Sequence, residues 1–149
     1  MYTTQAEAVR EWLAAYRKAE EEIDERLDMI RELRGRITGI KAQEITDMPK
    51  APRVSDPLEE YIIRLEEMEG KLDERIREHE RDRNAIMRLL HGMKEKEGRD
   101  IIRYRYLYGM EWSKIQMMVY HSEQEAERRK MYRTHESALE WMGRFWGGE

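Results

Sequence analysis

The fold is decided by residues 100–125, which have the sequence DIIRYRYLYGMEWSKIQMMVYHSEQE. A first apolar segment ends at Gly109, and glycine commonly ends a helix. The next segment places its apolar residues on one face of about two helical turns: Trp112, Ile115, Met118 and Val119. Ser122 stands three residues before Glu125, which is the capping-box spacing at the start of a helix. The pattern predicts three short helices, the last two joined by a tight turn.

The third of these helices is predicted to begin at Ser122 and to run to about Trp146, since apolar residues recur along it at helical spacing. Two helices joined by a short turn, the second of them capped and cationic, form the helix-turn-helix unit that docks in the major groove of DNA. Residues 97–149 are therefore predicted to form a small helix-turn-helix domain.

A long helix is predicted ahead of this domain, over residues 1–39. Thr4 and Glu7 have capping-box spacing, and the apolar residues that follow recur mostly in steps of three or four. Gly39 is predicted to end the helix. The apolar stripe indicates a seam along which this helix packs against another helix.

A second long helix is predicted over residues 57–96. Asp56 is a favourable N-cap residue, and Pro57 suits the first helical position because no N–H is needed there. Residues 40–56 contain two prolines and no helical period, which predicts a linker. The chain is thus predicted to be all-α: two long heptad-patterned helices, packed antiparallel through a Pro-containing linker and followed by the helix-turn-helix domain.

Composition limits the classes of protein that fit. Charged residues and hydrophobic residues each make up 40% of the chain, with 3 prolines and 9 glycines, which suits long solvated helices. The absence of cysteine excludes disulfides, thiol catalysis and cysteine-ligated metals. With no signal-peptide pattern and no apolar run of membrane-spanning length, the sequence predicts a soluble, cytoplasmic protein without a membrane partner.

Three tracts carry a family resemblance: Ile101–Ile115, Tyr120–Ser122 and Tyr132–Leu139. The most specific part of it is Tyr104–Ser113. The three tracts resemble the sigma-factor region 4 type of helix-turn-helix. They are similar in particular to phage-encoded regulators of the RinA and ArpU type, which activate late-gene or packaging-gene transcription. Those proteins also tend to have a long helical N-terminal half and a Met-Pro-bearing linker ending in Ser-Asp, as in Met48-Pro49 and Ser55-Asp56 here.

The resemblance covers residues 40–140 and implies a sequence-specific, DNA-binding transcriptional regulator that is phage-encoded and dimeric. Its expected partners are double-stranded DNA, a second copy of the chain and host RNA polymerase. The net charge of −4 does not favour a protein that coats nucleic acid without specificity. Instead, the cations near the start of the third short helix form one local patch.

Eight side chains are the candidate DNA contacts. They are polar or cationic residues of the last two predicted helices and their turn: Lys114, Ser122, Gln124, Arg128, Arg129, Lys130, Arg133 and His135. Such side chains bind phosphates and base edges. The family pattern is about five residues shorter after the turn, and the added length brings Glu123, Glu125 and Glu127 to the start of the helix. There these carboxylates would either repel phosphates or stabilise the helix dipole.

Each candidate also has a purely structural interpretation. The cations at positions 128–130 would equally form a solvated helix face, paired with neighbouring glutamates. Gln124 fits a solvated residue of the first turn, and Lys114 fits an ordinary surface lysine. His135 is as consistent with a residue packed between helices as with a DNA contact.

The sequence also bears on functions other than DNA binding. A helical interaction protein without DNA affinity, such as a packaging adaptor or an inhibitor, would also fit the negative net charge. An enzyme is not expected, because the chain has no Gly-rich phosphate loop and its four histidines are scattered. Glu78, His79 and Asp82 share a helical face but form a poor ligand set, so neither a metal nor a cofactor is predicted.

Overall fold

The computed structural model describes residues 4–46 and 57–146, which are almost entirely helical and contain no β-strand. The helices are α1 (Thr4–Thr46), α2 (Pro57–Gly92), α3 (Lys96–Ile102), α4 (Trp112–Tyr120) and α5 (Glu125–Phe145). A π-helical segment, Arg103–Leu107, directly continues α3. The prediction of an all-α protein with two long helices followed by shorter ones is confirmed.

The bounds of the two long helices differ from those predicted. Gly39 lies inside α1, which ends only at Thr46, so the predicted stop at Gly39 is wrong. A glycine costs a helix only about 1 kcal/mol relative to alanine, so helical hydrogen bonding continues through it. The rest of the predicted linker, with the Asp56 cap, lies outside the described residues. α2 ends at Gly92, four residues before its predicted end.

Residues 20–78 form one compact unit, here called the hairpin unit. Its core is a seam between α1 and α2, made by Ile23, Leu27, Ile30, Leu65, Met68, Leu72 and Ile76. Two ion pairs cross the seam: Arg75 lies 3.3 Å from Glu22, and Arg34 lies 2.8 Å from Glu69. From the first pair to the second, the residue number increases along α1, from 22 to 34, and decreases along α2, from 75 to 69. The two helices therefore run antiparallel in this unit, as predicted.

The second unit contains residues 1–19 and 79–149, described from Thr4 to Trp146, and is here called the terminal unit. Its main core brings together the start of α1, the end of α2, the end of the π-helical segment and α5. The fully buried side chains include Val9, Leu13, Ile86, Leu90, Leu139 and Met142. The first turns of α1 and the last turns of α2 therefore belong to the same packed unit as the short helices.

Gly109 ends the first short helical segment, as predicted, and its conformation requires glycine. Its φ of +66° lies in the left-handed region, which L side chains rarely adopt. The Arg17 guanidinium packs directly over it, and its Nη1 donates to the Leu107 carbonyl oxygen at 3.4 Å. A Cβ at position 109 would lie 2.7 Å from Arg17 Cζ. Backbone strain therefore disfavours any side chain at position 109, and the flexible Arg17 guanidinium would also have to move.

We expect Gly109→Ala to lower the free energy of unfolding by about 1–3 kcal/mol, because alanine would be strained at a positive φ and would displace Arg17. Urea unfolding followed by far-UV circular dichroism measures this change. Gly70→Ala in α2 is the matched control, since nothing lies within 4 Å of its Cβ position. It should instead raise the free energy of unfolding by about 0.5–1 kcal/mol. Equal effects of the two substitutions would contradict this account.

Candidate functional site

Residues 121–124 form a tight connection between α4 and α5. His121 has φ 55° and ψ 35°, a left-handed conformation, and its N–H donates to the Met117 carbonyl oxygen at 3.0 Å. Ser122 Oγ accepts a hydrogen bond from the Gln124 N–H at 3.1 Å. α5 begins at Glu125 with Gln124 as its N-cap residue. The predicted capping box between Ser122 and Glu125 is therefore wrong, because the serine hydroxyl stabilises the turn one step earlier.

Gln116 of α4 holds this connection in place. Its side chain is only 1% exposed, and its Nε2 donates to the carbonyl oxygens of Ser122 and Gln124, both at 2.9 Å. Its Oε1 accepts a hydrogen bond from Arg128 Nε at 3.4 Å. A buried amide needs such partners, since leaving a buried polar group unpaired costs about 1–3 kcal/mol. The path of the turn is therefore coupled to α4.

The role of Gln116 was missed in the sequence, although a signal for it exists. Gln116 follows Trp112 by four residues and precedes Val119 by three, so it lies on the apolar face of α4. The sequence prediction assigned Met118 to that face, but Met118 is 49% exposed. A polar residue at an apolar helical position indicates a buried hydrogen-bonding role.

A second core lies beneath α4 and joins it to α3 and α5. Its fully buried members are Ile101, Ile115 and Met131. The Trp112 ring lies edge-on to two rings of α5, with centroid distances of 4.8 Å to His135 and 5.3 Å to Tyr132. The Arg105 guanidinium lies 4.8 Å from the centroid of Trp112. These contacts brace α5 against α4.

His135 is a buried residue among the contacts that brace α5 against α4. It is 2% exposed, and its Nε2 is hydrogen-bonded to the Tyr106 hydroxyl at 2.8 Å. Burial, together with the positive charges of Arg10 and Arg105, lowers the pKa of His135 to about 4. Its interpretation as a packing residue is supported, and its assignment as a DNA contact is wrong because the ring does not reach the surface.

The exposed side of α5 carries three of the predicted cations, Arg128, Arg129 and Arg133, together with Tyr132. Their spacing places all four on one helical face, here called the arginine face. Tyr132, which is 40% exposed, was not predicted as a contact, although it has the same helical spacing as the arginines. The arginine face thus presents planar guanidinium groups beside an aromatic ring.

The remaining predicted DNA contacts lie in different environments. Lys114 and Gln124 are exposed, and Ser122 is half-buried in the turn. Lys130 is also exposed, but its Nζ lies 3.8 Å from Glu97 Oε1 and 5.6 Å from the centroid of the Tyr120 ring. Lys130 therefore points towards α3 and does not belong to the arginine face.

The three glutamates near the start of α5 do not share one environment. Glu123 and Glu125 are exposed. Glu127 is half-buried, and its Oε2 is inaccessible to solvent and has no hydrogen-bond partner among the described residues. Two carboxylates, rather than three, are therefore exposed at the end of α5 nearest the turn.

Comparisons of the chain with protein-family models, with curated proteins and with solved structures gave no match. Within residues 4–46 and 57–146, no group of three or more histidine, aspartate or glutamate side chains lies close enough to hold a metal ion. No helix in those ranges is both long and apolar enough to cross a membrane.

We expect Gln116→Leu to lower the free energy of unfolding by about 1–3 kcal/mol, because the carbonyl oxygens of Ser122 and Gln124 would lose their donor. Met117→Leu is the matched control, since Met117 is the next residue of α4 and is exposed. It should change the free energy of unfolding by less than about 0.5 kcal/mol in the same urea titration. Similar values for the two variants would show that the turn does not depend on Gln116.

His135 should make the stability of the terminal unit depend on pH. Its pKa is about 4 in the folded protein and about 6.5 in an unfolded chain, so the unfolded chain binds the extra proton. The contribution of His135 to the free energy of unfolding is therefore fully present above about pH 6.5. As the pH drops to 4, the free energy of unfolding falls by about 3 kcal/mol. His135→Gln should take up about one proton fewer on unfolding in this range, measured by urea titrations at several pH values. An identical pH dependence in both proteins would refute this assignment.

Proposed function

We propose that the chain is a sequence-specific, DNA-binding transcriptional regulator that acts as a dimer. In this proposal α4 and α5 form a helix-turn-helix, and α5 enters the major groove with its arginine face towards the bases. The observation that carries the proposal is the exposure of three arginines and a tyrosine on one face of α5, beside a turn held by buried Gln116.

The side chains of this face suit the two kinds of contact that such a protein makes. Arginine binds guanine O6 and N7 through paired N–H groups, and it binds phosphates in the same way. Arg128 donates its Nε–H to Gln116 Oε1. This hydrogen bond restrains the guanidinium group and leaves its Nη groups for a base edge. Gln124 and Arg129 lie near the same end of α5, while Lys114 and Arg133 are assigned to phosphates.

The similarity of Tyr104–Ser113 to phage regulators supports a narrower role for the chain. The protein is proposed to be a phage-encoded regulator of late or packaging genes that acts in the cytoplasm. Its hairpin unit, which is distinct from the arginine face, would then contact host RNA polymerase. No cofactor or catalytic group takes part in this function.

One observation favours a second function, that of a helical adaptor or inhibitor which binds another protein and not DNA. Glu123 and Glu125 are exposed at the end of α5 that would enter the groove first. Carboxylates at that position repel phosphates, although they also stabilise the first turn of the helix. Dependence of binding on salt separates the two functions, because only a DNA complex releases condensed counterions.

We expect replacement of Arg128, Arg129 and Arg133 by alanine to weaken binding to a selected duplex by at least about 100-fold. The slope of log K against log salt concentration should become shallower by about 2–3, since three cationic contacts are lost. Fluorescence anisotropy with labelled duplex measures both quantities, after the preferred site has been selected from genomic or phage DNA fragments.

The matched control replaces Arg26, Lys41 and Arg64 of the hairpin unit, which are also exposed and carry the same total charge. This control should bind like the unchanged protein. Equal weakening by both triple variants would mean that only net charge matters and would refute a specific arginine face. Absence of binding by the unchanged protein, even at low salt, would favour the adaptor function.

A further inference from the structure

A cleft of about 490 Å³ lies at the end of α5 that is remote from the turn. One wall is the C-terminal part of α5, and the other is the connection between α2 and α3, which includes buried Met93. Both walls belong to the terminal unit. The cleft is separated along α5 from the arginine face, so the proposed DNA contacts leave it uncovered.

Two aromatic residues of α5 give the cleft its apolar character. Trp141 is half-buried and packs against the main core of the terminal unit. The ring of Phe145 lies 4.8 Å from that of Trp141, yet the side chain is 62% exposed. Burying one aromatic side chain removes about 150–250 Å² from water, so this exposure is unfavourable in an isolated copy. The surface thus presents a projecting apolar ring beside an apolar cleft.

The charges that line the cleft are balanced in sign. Lys94 and Glu95 are neighbours in the connection between α2 and α3, and Glu140 and Arg144 are four residues apart on α5. A partner of one predominant charge would therefore meet as much repulsion as attraction. A second copy related by a two-fold axis can place each cation against an anion, because the same patch meets itself in reverse.

We propose that this cleft is the interface of a two-fold symmetric homodimer, in which Phe145 of each copy enters the cleft of the other and packs against Trp141. The inference deepens the proposed function by naming the surface of its second copy. The dimer itself is measured without DNA and does not depend on that function.

Sedimentation equilibrium of the full chain without DNA tests the interface. The unchanged protein should show a monomer–dimer equilibrium that depends on concentration, and Phe145→Ala should raise the dissociation constant of the dimer by at least about 10-fold. Met87→Ala is the matched control, because Met87 is 42% exposed in the same unit and does not line the cleft. It should leave the dissociation constant unchanged.

A charge exchange tests the two-fold pairing independently of Phe145. Lys94→Glu combined with Arg144→Glu makes the patch wholly acidic, and Glu95→Lys combined with Glu140→Arg makes it wholly basic. Each double variant should dimerise less well alone than the unchanged protein, and an equimolar mixture of the two should regain dimerisation. Circular dichroism spectra that match the unchanged protein verify the fold of every variant.

The proposal is overturned by an unchanged protein that stays monomeric at every concentration. A dimer that tolerates Phe145→Ala, or a mixture of charge variants that does not associate, also overturns it. The variant lacking Arg128, Arg129 and Arg133 should still dimerise. DNA binding by a monomeric protein would refute this interface and the dimeric form of the regulator, but it would leave the DNA-binding role of α5 standing. A dimer without DNA affinity would refute that DNA-binding role and leave the interface standing.

Discussion

The hydrogen bonds from Gln116 Nε2 to the carbonyl oxygens of Ser122 and Gln124 determine where α5 starts. Both oxygens belong to a connection of only four residues, in which His121 adopts a left-handed conformation that few residues other than glycine take. A buried amide is costly without partners, so any other path of the turn would leave Gln116 unsatisfied. The turn and the buried amide therefore stabilise each other.

The direction of the arginine face follows from this constraint. Once α5 starts at Glu125, the helical period directs Met131, His135 and Leu139 into the core. The same period places Arg129 and Arg133 on the outside, since they precede the buried positions by two residues, or about 200° of helical rotation. A shift of one residue in the start of α5 would turn each side chain by about 100° and bury part of the cationic face.

The sequence predicted those features of the fold that depend on local pattern. Gly109 was identified as a helix end because glycine commonly ends a helix, and its positive φ in the structure gives the physical reason. The apolar spacing of Trp112, Ile115 and Val119 predicted the helix that the structure shows as α4. Gly39 was misassigned because glycine weakens a helix without ending it, and the deciding factor is the hydrogen bonding of its neighbours. Ser122 was misassigned because its hydroxyl can accept from either of two nearby N–H groups.

Other features could not be read from local pattern because they depend on contacts between residues distant in sequence. The position of His135 between Trp112 and Tyr106 becomes evident only when α5 packs on the preceding helices. Gly143 has a similar tertiary role, since a Cβ there would lie 3.1 Å from Gln5 at the start of α1. Sequence periodicity reports which face of a helix is apolar, and it does not report which helix covers that face.

The charge distribution connects the proposed DNA surface with the proposed dimer. A chain of net charge −4 gains little from long-range attraction to DNA, so in the proposed complex a single copy would bind through the few arginines of α5. Two copies joined at Phe145 would double the number of such contacts, and binding of the second copy would become intramolecular. That gain requires both faces to reach the same duplex, so it selects sites with the correct spacing between half-sites. In this proposal the acidic chain is only weakly attracted to DNA of random sequence, and the dimer binds tightly only where the two half-sites are correctly spaced. Both properties favour specificity over affinity.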